Sequence, residues 1–154
     1  MRHHYLRTAL LVLGLLFGGL VGAADLPGPR DVLFVGNSFT FYNNGLHHHY
    51  RALVRAVSDD GRRRIRSQTI SGGQLPEHDG ALETLLREQS WDAVVLQGHS
   101  RGPIDEATAP GFRDAARRYT ARIRARGAEP VFFMTWAYTS QPDMTEPLAA
   151  AYTA

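Results

Sequence analysis

The chain has no cysteine and no lysine; all 17 of its basic residues are arginine. Without cysteine it can form no disulfide, and a lipid anchor on that side chain is excluded. Without lysine, the stretch from Gly36 to Gly45 cannot be a phosphate-binding loop, which needs that side chain to reach a nucleotide. Ligands with metal-binding spacing are lacking as well. His47, His48 and His49 are consecutive, and neighbours on a helix point about 100° apart, so they cannot jointly face one ion. This tract reads as a solvated helix start. No internal repeat is present, and none of the nine aspartates is followed by histidine three positions later.

Long apolar runs are also scarce, and the one that exists lies near the start. Met1 to Arg7 is basic, Thr8 to Gly22 is uncharged and apolar, and Val21-Gly22-Ala23-Ala24 closes the run with small residues. The run is shorter than the roughly 20 residues a membrane span requires. Basic head, apolar middle and small-residue exit predict a secretory signal peptide over residues 1–24, cleaved near Ala23 or Ala24. The expected product is exported, to the periplasm or the medium, with no stable membrane anchor. Cleavage would remove Arg2 and Arg7 and leave fifteen arginines facing fifteen acids. A balanced chain gives no reason to expect a nucleic-acid partner, and Arg62-Arg63-Arg64 with Arg66 reads as a solvated turn. Residues 25–154 suffice for one domain with a real core, and not for two.

What is present is a regular alternation. Asp31 to Val35 is an apolar run suited to a strand buried on both faces. Leu46, Tyr50, Leu53, Val54 and Val57 recur at helical spacing, and Asp59-Asp60-Gly61 stops that helix. Arg64 to Ser71 predicts a second strand, broken by Gly72-Gly73. Ala81 to Leu86 predicts a short helix and Trp91 to Leu96 a third strand. Gly98 to Ala109 reads as a polar loop, Pro110 to Arg126 as a helix, and Pro130 to Trp136 as a fourth strand. Another helix begins at Pro147. Such a rhythm implies βαβ units with right-handed crossovers: a three-layer α/β/α, doubly wound parallel sheet of flavodoxin-like type.

In that fold every loop that follows a strand falls on one edge. Ser38, Gly72-Gly73, Gln97 and the stretch from Ala137 should converge there. Acyl transfer needs a nucleophile, a base, and donors aimed at the developing oxyanion. Ser38 is the candidate nucleophile and its own N–H the first donor. Gly73 can bring a second N–H close to a bound carbonyl, since no side chain obstructs it, and the Gln97 amide can supply a third. His99, just past the third strand, is a loop residue that lines the site or, less readily, a base.

In this order the blocks resemble the SGNH hydrolase superfamily, the GDSL-like esterases and lipases. The resemblance rests on Gly36-Asn37-Ser38-Phe39-Thr40, on Gly72-Gly73 and on Val94-Val95-Leu96-Gln97. Trp91-Asp92 and Met134-Thr135-Trp136 are similar to a bacterial subgroup of it. It implies a serine ester hydrolase acting on small acyl esters, including acetyl groups on carbohydrate, without a cofactor or metal. It further implies substrate contacts from Asn37, Gly72, His78 and His99. Two departures stand out: Gln97 occupies a position where the superfamily usually has asparagine, and the Asp-x-x-His segment carrying the base is missing. A final strand and that segment are therefore expected beyond Ala154. Two other readings stay open. One is a truncated or non-catalytic member that binds without turnover; the other is a flavodoxin-like nucleotide- or flavin-binding module. The fourth strand is expected to present an apolar edge through which the chain self-associates.

Overall fold

The computed structural model describes residues 28–57 and 63–154. The expected leader, the boundary at Asp25 and the helix stop at Asp59-Asp60-Gly61 lie outside the described residues. Among the described residues, no helix is long and apolar enough to cross a membrane.

The strands are β1 (Val32–Gly36), β2 (Ile65–Thr69), β3 (Ala93–Leu96) and β4 (Glu129–Phe132). They form one sheet in the order β2-β1-β3-β4, and every pairing is parallel. All of β1 is buried, as expected of a central strand covered on both faces. Alternate side chains sort to opposite layers because the pleat has period two. Leu33 and Val35 join a core with Leu82, Leu86, Phe112, Ala115, Tyr119 and Ile123. Val32 and Phe34 join a second core with Ile65 and Ala93, against which Leu46 and Tyr50 pack.

The helices supply the outer layers. A single turn, α1 (Ser38–Phe41), follows β1, and α2 (Leu46–Val57) leads towards β2. Helix α3 (Asp79–Glu88) precedes β3, α4 (Ala109–Ala125) precedes β4, and α5 (Thr145–Thr153) follows it. Through Leu46 and Tyr50, α2 covers one face of the sheet; α3 and α4 cover the other. The three-layer α/β/α class expected from the sequence is the observed one.

Local differences have physical causes. Leu53 and Val57, grouped by spacing with the apolar stripe of α2, are 63% and 55% exposed. Only the narrower row Leu46, Tyr50 and Val54 lies on one side at i, i+4 and i+8. Strand β4 ends at Phe132 rather than Trp136, so Met134 and Trp136 lie beyond its carboxyl end and are exposed.

Candidate active site

Strands β1 and β3 are neighbours whose chains then run off in opposite directions, β1 to β2 on one side and β3 to β4 on the other. This is the switch point of an open parallel sheet, where ligands bind beyond the carboxyl ends of the strands. Ser38 follows β1 and Gln97 follows β3 directly, so both stand at that point.

The turn bearing Ser38 is held from within. Asn37 is buried and caps α1: its Oδ1 accepts the Phe39 N–H at 3.2 Å. The Asn37 N–H donates to Gln97 Oε1 at 3.0 Å, and the Thr40 hydroxyl donates to the same oxygen at 2.7 Å. Gln97 Nε2 donates to Asn37 Oδ1 at 2.9 Å and also to the Gly98 carbonyl. Asn37 Nδ2 in turn donates to the Gly73 carbonyl at 3.0 Å. Thr40 and Gln97 are each 1% exposed. Gly36 is required by this packing rather than by its backbone angles. A Cβ there would lie 2.3 Å from Thr40 Oγ1 and 2.5 Å from Gln97 Oε1, so only glycine leaves them room.

These bonds assign the expected oxyanion donors a different task. The Gly73 N–H donates to the Ile70 carbonyl at 3.0 Å, closing the turn after β2. Gly72, beside it, takes φ of +68°, where glycine is at ease, and is exposed. Both hydrogens of the Gln97 amide are likewise engaged. As arranged, Gly73 and Gln97 orient the turn around Ser38 and turn no free donor towards the open edge. Ser38 itself is half-buried. Its N–H and its Oγ are without hydrogen-bond partners among the described residues.

The two histidines differ. His99 is half-buried on the loop after β3. His78 is 0% exposed, and neither ring nitrogen has a hydrogen-bond partner among the described residues. The expected substrate contact through His78 is therefore not available in this arrangement. The residue ends a 3₁₀ turn (Leu75–His78) that packs beneath α4. Burial pushes the His78 imidazole below its ordinary pKa, and Glu77 pulls weakly the other way. Among the described residues, no group of three or more His, Asp or Glu side chains is disposed to hold a metal.

The rim carries residues not assigned from the sequence. Trp136 is 53% exposed and meets Phe39 edge-to-face, with ring centroids 4.8 Å apart. Ser100 Oγ and Tyr138 Oη share a 2.6 Å hydrogen bond, and the Thr135 hydroxyl donates to the Ser100 carbonyl at 3.2 Å. These contacts tie the loop after β4 to the loop after β3, with an aromatic wall beside Ser38. The Met134-Thr135-Trp136 motif signalled the wall, but its partner Phe39 required the fold. A groove of about 230 Å³ lies elsewhere, between α4, β4 and α5, with Phe112, Phe132 and Tyr152 in its lining.

No family model and no curated protein matches this sequence. Solved structures do. TesA is similar with a TM-score of 0.62 at 19% identity, over 80% of this chain and 71% of its own. A protein assigned to the lipolytic G-D-S-L family, from Desulfitobacterium hafniense DCB-2, gives 0.60 at 13%, over 80% and 70%. A catalytic mutant of Axe2, an acetylxylan esterase from Geobacillus stearothermophilus, gives 0.60 at 15%, over 79% and 68%. At such identities the likeness is one of backbone architecture: this chain shares the α/β/α fold of these solved structures.

Proposed function

We propose that the chain is an SGNH-type serine ester hydrolase, exported, that acts on small acyl esters including acetyl groups on carbohydrate. The observation that carries the reading is the situation of Ser38. It stands at the switch point of a sheet shared with solved esterases, on a turn clamped from behind, with its hydroxyl and N–H unengaged among the described residues. Its Oγ attacks the acyl carbon and its N–H donates to the developing oxyanion. The alcohol oxygen departs with the proton released by the serine. Water then displaces the acyl group as the acid and restores the hydroxyl. Trp136 and Phe39 shield one side of the reacting group.

A base must carry that proton, and Ser38 Oγ has none hydrogen-bonded to it among the described residues. This favours a second reading: the chain binds an ester or glycan with little turnover. Removing the base from a serine hydrolase costs on the order of thousands-fold or more in rate. A chromogenic acetate ester separates the two. Under the first reading the chain hydrolyses it, and Ser38→Ala abolishes turnover with an unchanged circular dichroism spectrum. Equal turnover in both proteins removes Ser38 from the mechanism. Saturable binding of an acetylated oligosaccharide without hydrolysis supports the second reading.

A further inference from the structure

One buried side-chain amide joins the ends of β1 and β3 through every hydrogen-bonding position it has. We infer that Gln97 and Thr40 form a positioning clamp for Ser38, in which the Thr40 hydroxyl helps fix the Gln97 amide and the amide fixes the Gly36-Asn37 peptide and the Asn37 side chain that lead into Ser38. The inference rests on the reading of Ser38 as nucleophile.

The orientation of the amide is forced by chemistry. A backbone N–H can only donate and a carbonyl can only accept. The atom facing the Asn37 N–H is therefore Oε1, and the atom facing the Gly98 carbonyl is Nε2. Thr40 must then donate to Oε1, and Asn37 Oδ1 must accept from Nε2. The Asn37 amide is oriented by the same logic, between the Phe39 N–H and the Gly73 carbonyl. Orientation thus passes from β3 through Gln97 to Asn37 and on to the glycine turn after β2. The peptide N–H groups on either side of Ser38, those of Asn37 and Phe39, are both engaged, while that of Ser38 has no partner among the described residues. The bond between Thr40 and Gln97 lies in the space that Gly36 leaves by lacking a Cβ.

Thr40→Val removes the hydroxyl at nearly constant volume, leaving Gln97 Oε1 its bond from Asn37; Thr40→Ser keeps the hydroxyl. The experiment is time-resolved labelling of the full chain with a fluorophosphonate probe, read by mass spectrometry at Ser38. Hydrogen exchange of the Asn37 N–H and thermal melts are followed on the same samples. The clamp predicts that Thr40→Val lowers the maximal labelling rate roughly ten- to a hundredfold, the scale of small misplacements of a reacting group. Half-saturation by the probe should stay unchanged. Exchange at Asn37 should quicken, and Thr40→Ser should restore both rate and exchange in a protein that melts as the wild type does. Labelling of Thr40→Val at the wild-type rate overturns the clamp and leaves Ser38 as nucleophile. Equal slowing in Thr40→Val and Thr40→Ser overturns it too, since the hydroxyl would then be irrelevant. Wild-type chain unlabelled at Ser38 overturns the nucleophile and the clamp together.

Discussion

At the scale of single residues, the buried imidazole of His78 has the clearest consequence. With no hydrogen-bond partner for either ring nitrogen among the described residues, protonation would place an uncompensated charge in the interior. Burial therefore holds its pKa below the ordinary 6.5. The unfolded chain takes up the proton first as pH falls, so the native state loses stability there. The contribution is intact above pH 6.5, declines below it, and levels off once pH passes below the depressed native value. The melting temperature is expected to fall between pH 7 and pH 5, with a shallower fall in His78→Leu. An identical pH profile for both proteins would show that this imidazole is neutral to folding. Glycine works differently at its two motifs here. Gly72 is needed for its positive φ, and Gly36 for the space its missing side chain leaves to Thr40 and Gln97.

At the scale of elements, the 3₁₀ turn Leu75–His78 packs on α4 through Leu75 and is hydrogen-bonded to it by the Tyr119 side chain. Tyr119 is fully buried, and its hydroxyl donates to the carbonyls of Leu75 at 3.1 Å and Pro76 at 3.2 Å. Burial, with Asp79 beside it, pushes the phenol up to about 12, so it remains a donor at ordinary pH. Tyr119→Phe keeps the packing and leaves those carbonyls without that donor. A loss of about 1 to 2 kcal/mol is expected in denaturant unfolding, and a midpoint unchanged from wild type would deny the tether any role. The repeating units themselves were legible in the sequence. The runs at Asp31 to Val35 and Trp91 to Leu96 are short, apolar and bounded by polar turns; the second forms a strand within those limits and the first a strand displaced by one residue, Val32–Gly36. The single turn Ser38–Phe41 was not legible. Its four residues carry no periodicity, and it is held by Asn37 as cap and by Thr40 reaching across to β3.

At the scale of the whole molecule, the outer edge of β4 has no strand paired to it among the described residues, and Val131 there is 42% exposed. Unpaired strand edges with apolar side chains template pairing with a second chain. Sedimentation velocity is expected to show concentration-dependent self-association, and Val131→Lys should shift the population towards monomer. A wild-type chain that remains monomeric across the accessible concentrations would remove that role from the edge.

The sequence by itself determined the class of fold and the location of the candidate nucleophile. Apolar runs and helical spacings are local, and in a parallel α/β sheet each residue just after a strand falls on the same edge. Its place just after β1 is enough to put Ser38 on that edge. Tertiary structure alone decided what surrounds it. The Asn37 N–H and Gln97 Oε1 are 60 positions apart in the chain, and no local pattern encodes which way a side-chain amide turns when strands bring it to a neighbour. For that reason Gln97 and Gly73, which by composition could face a substrate, instead face inward onto Asn37, and His78, a plain loop histidine by its surroundings in sequence, lies sealed beneath α4.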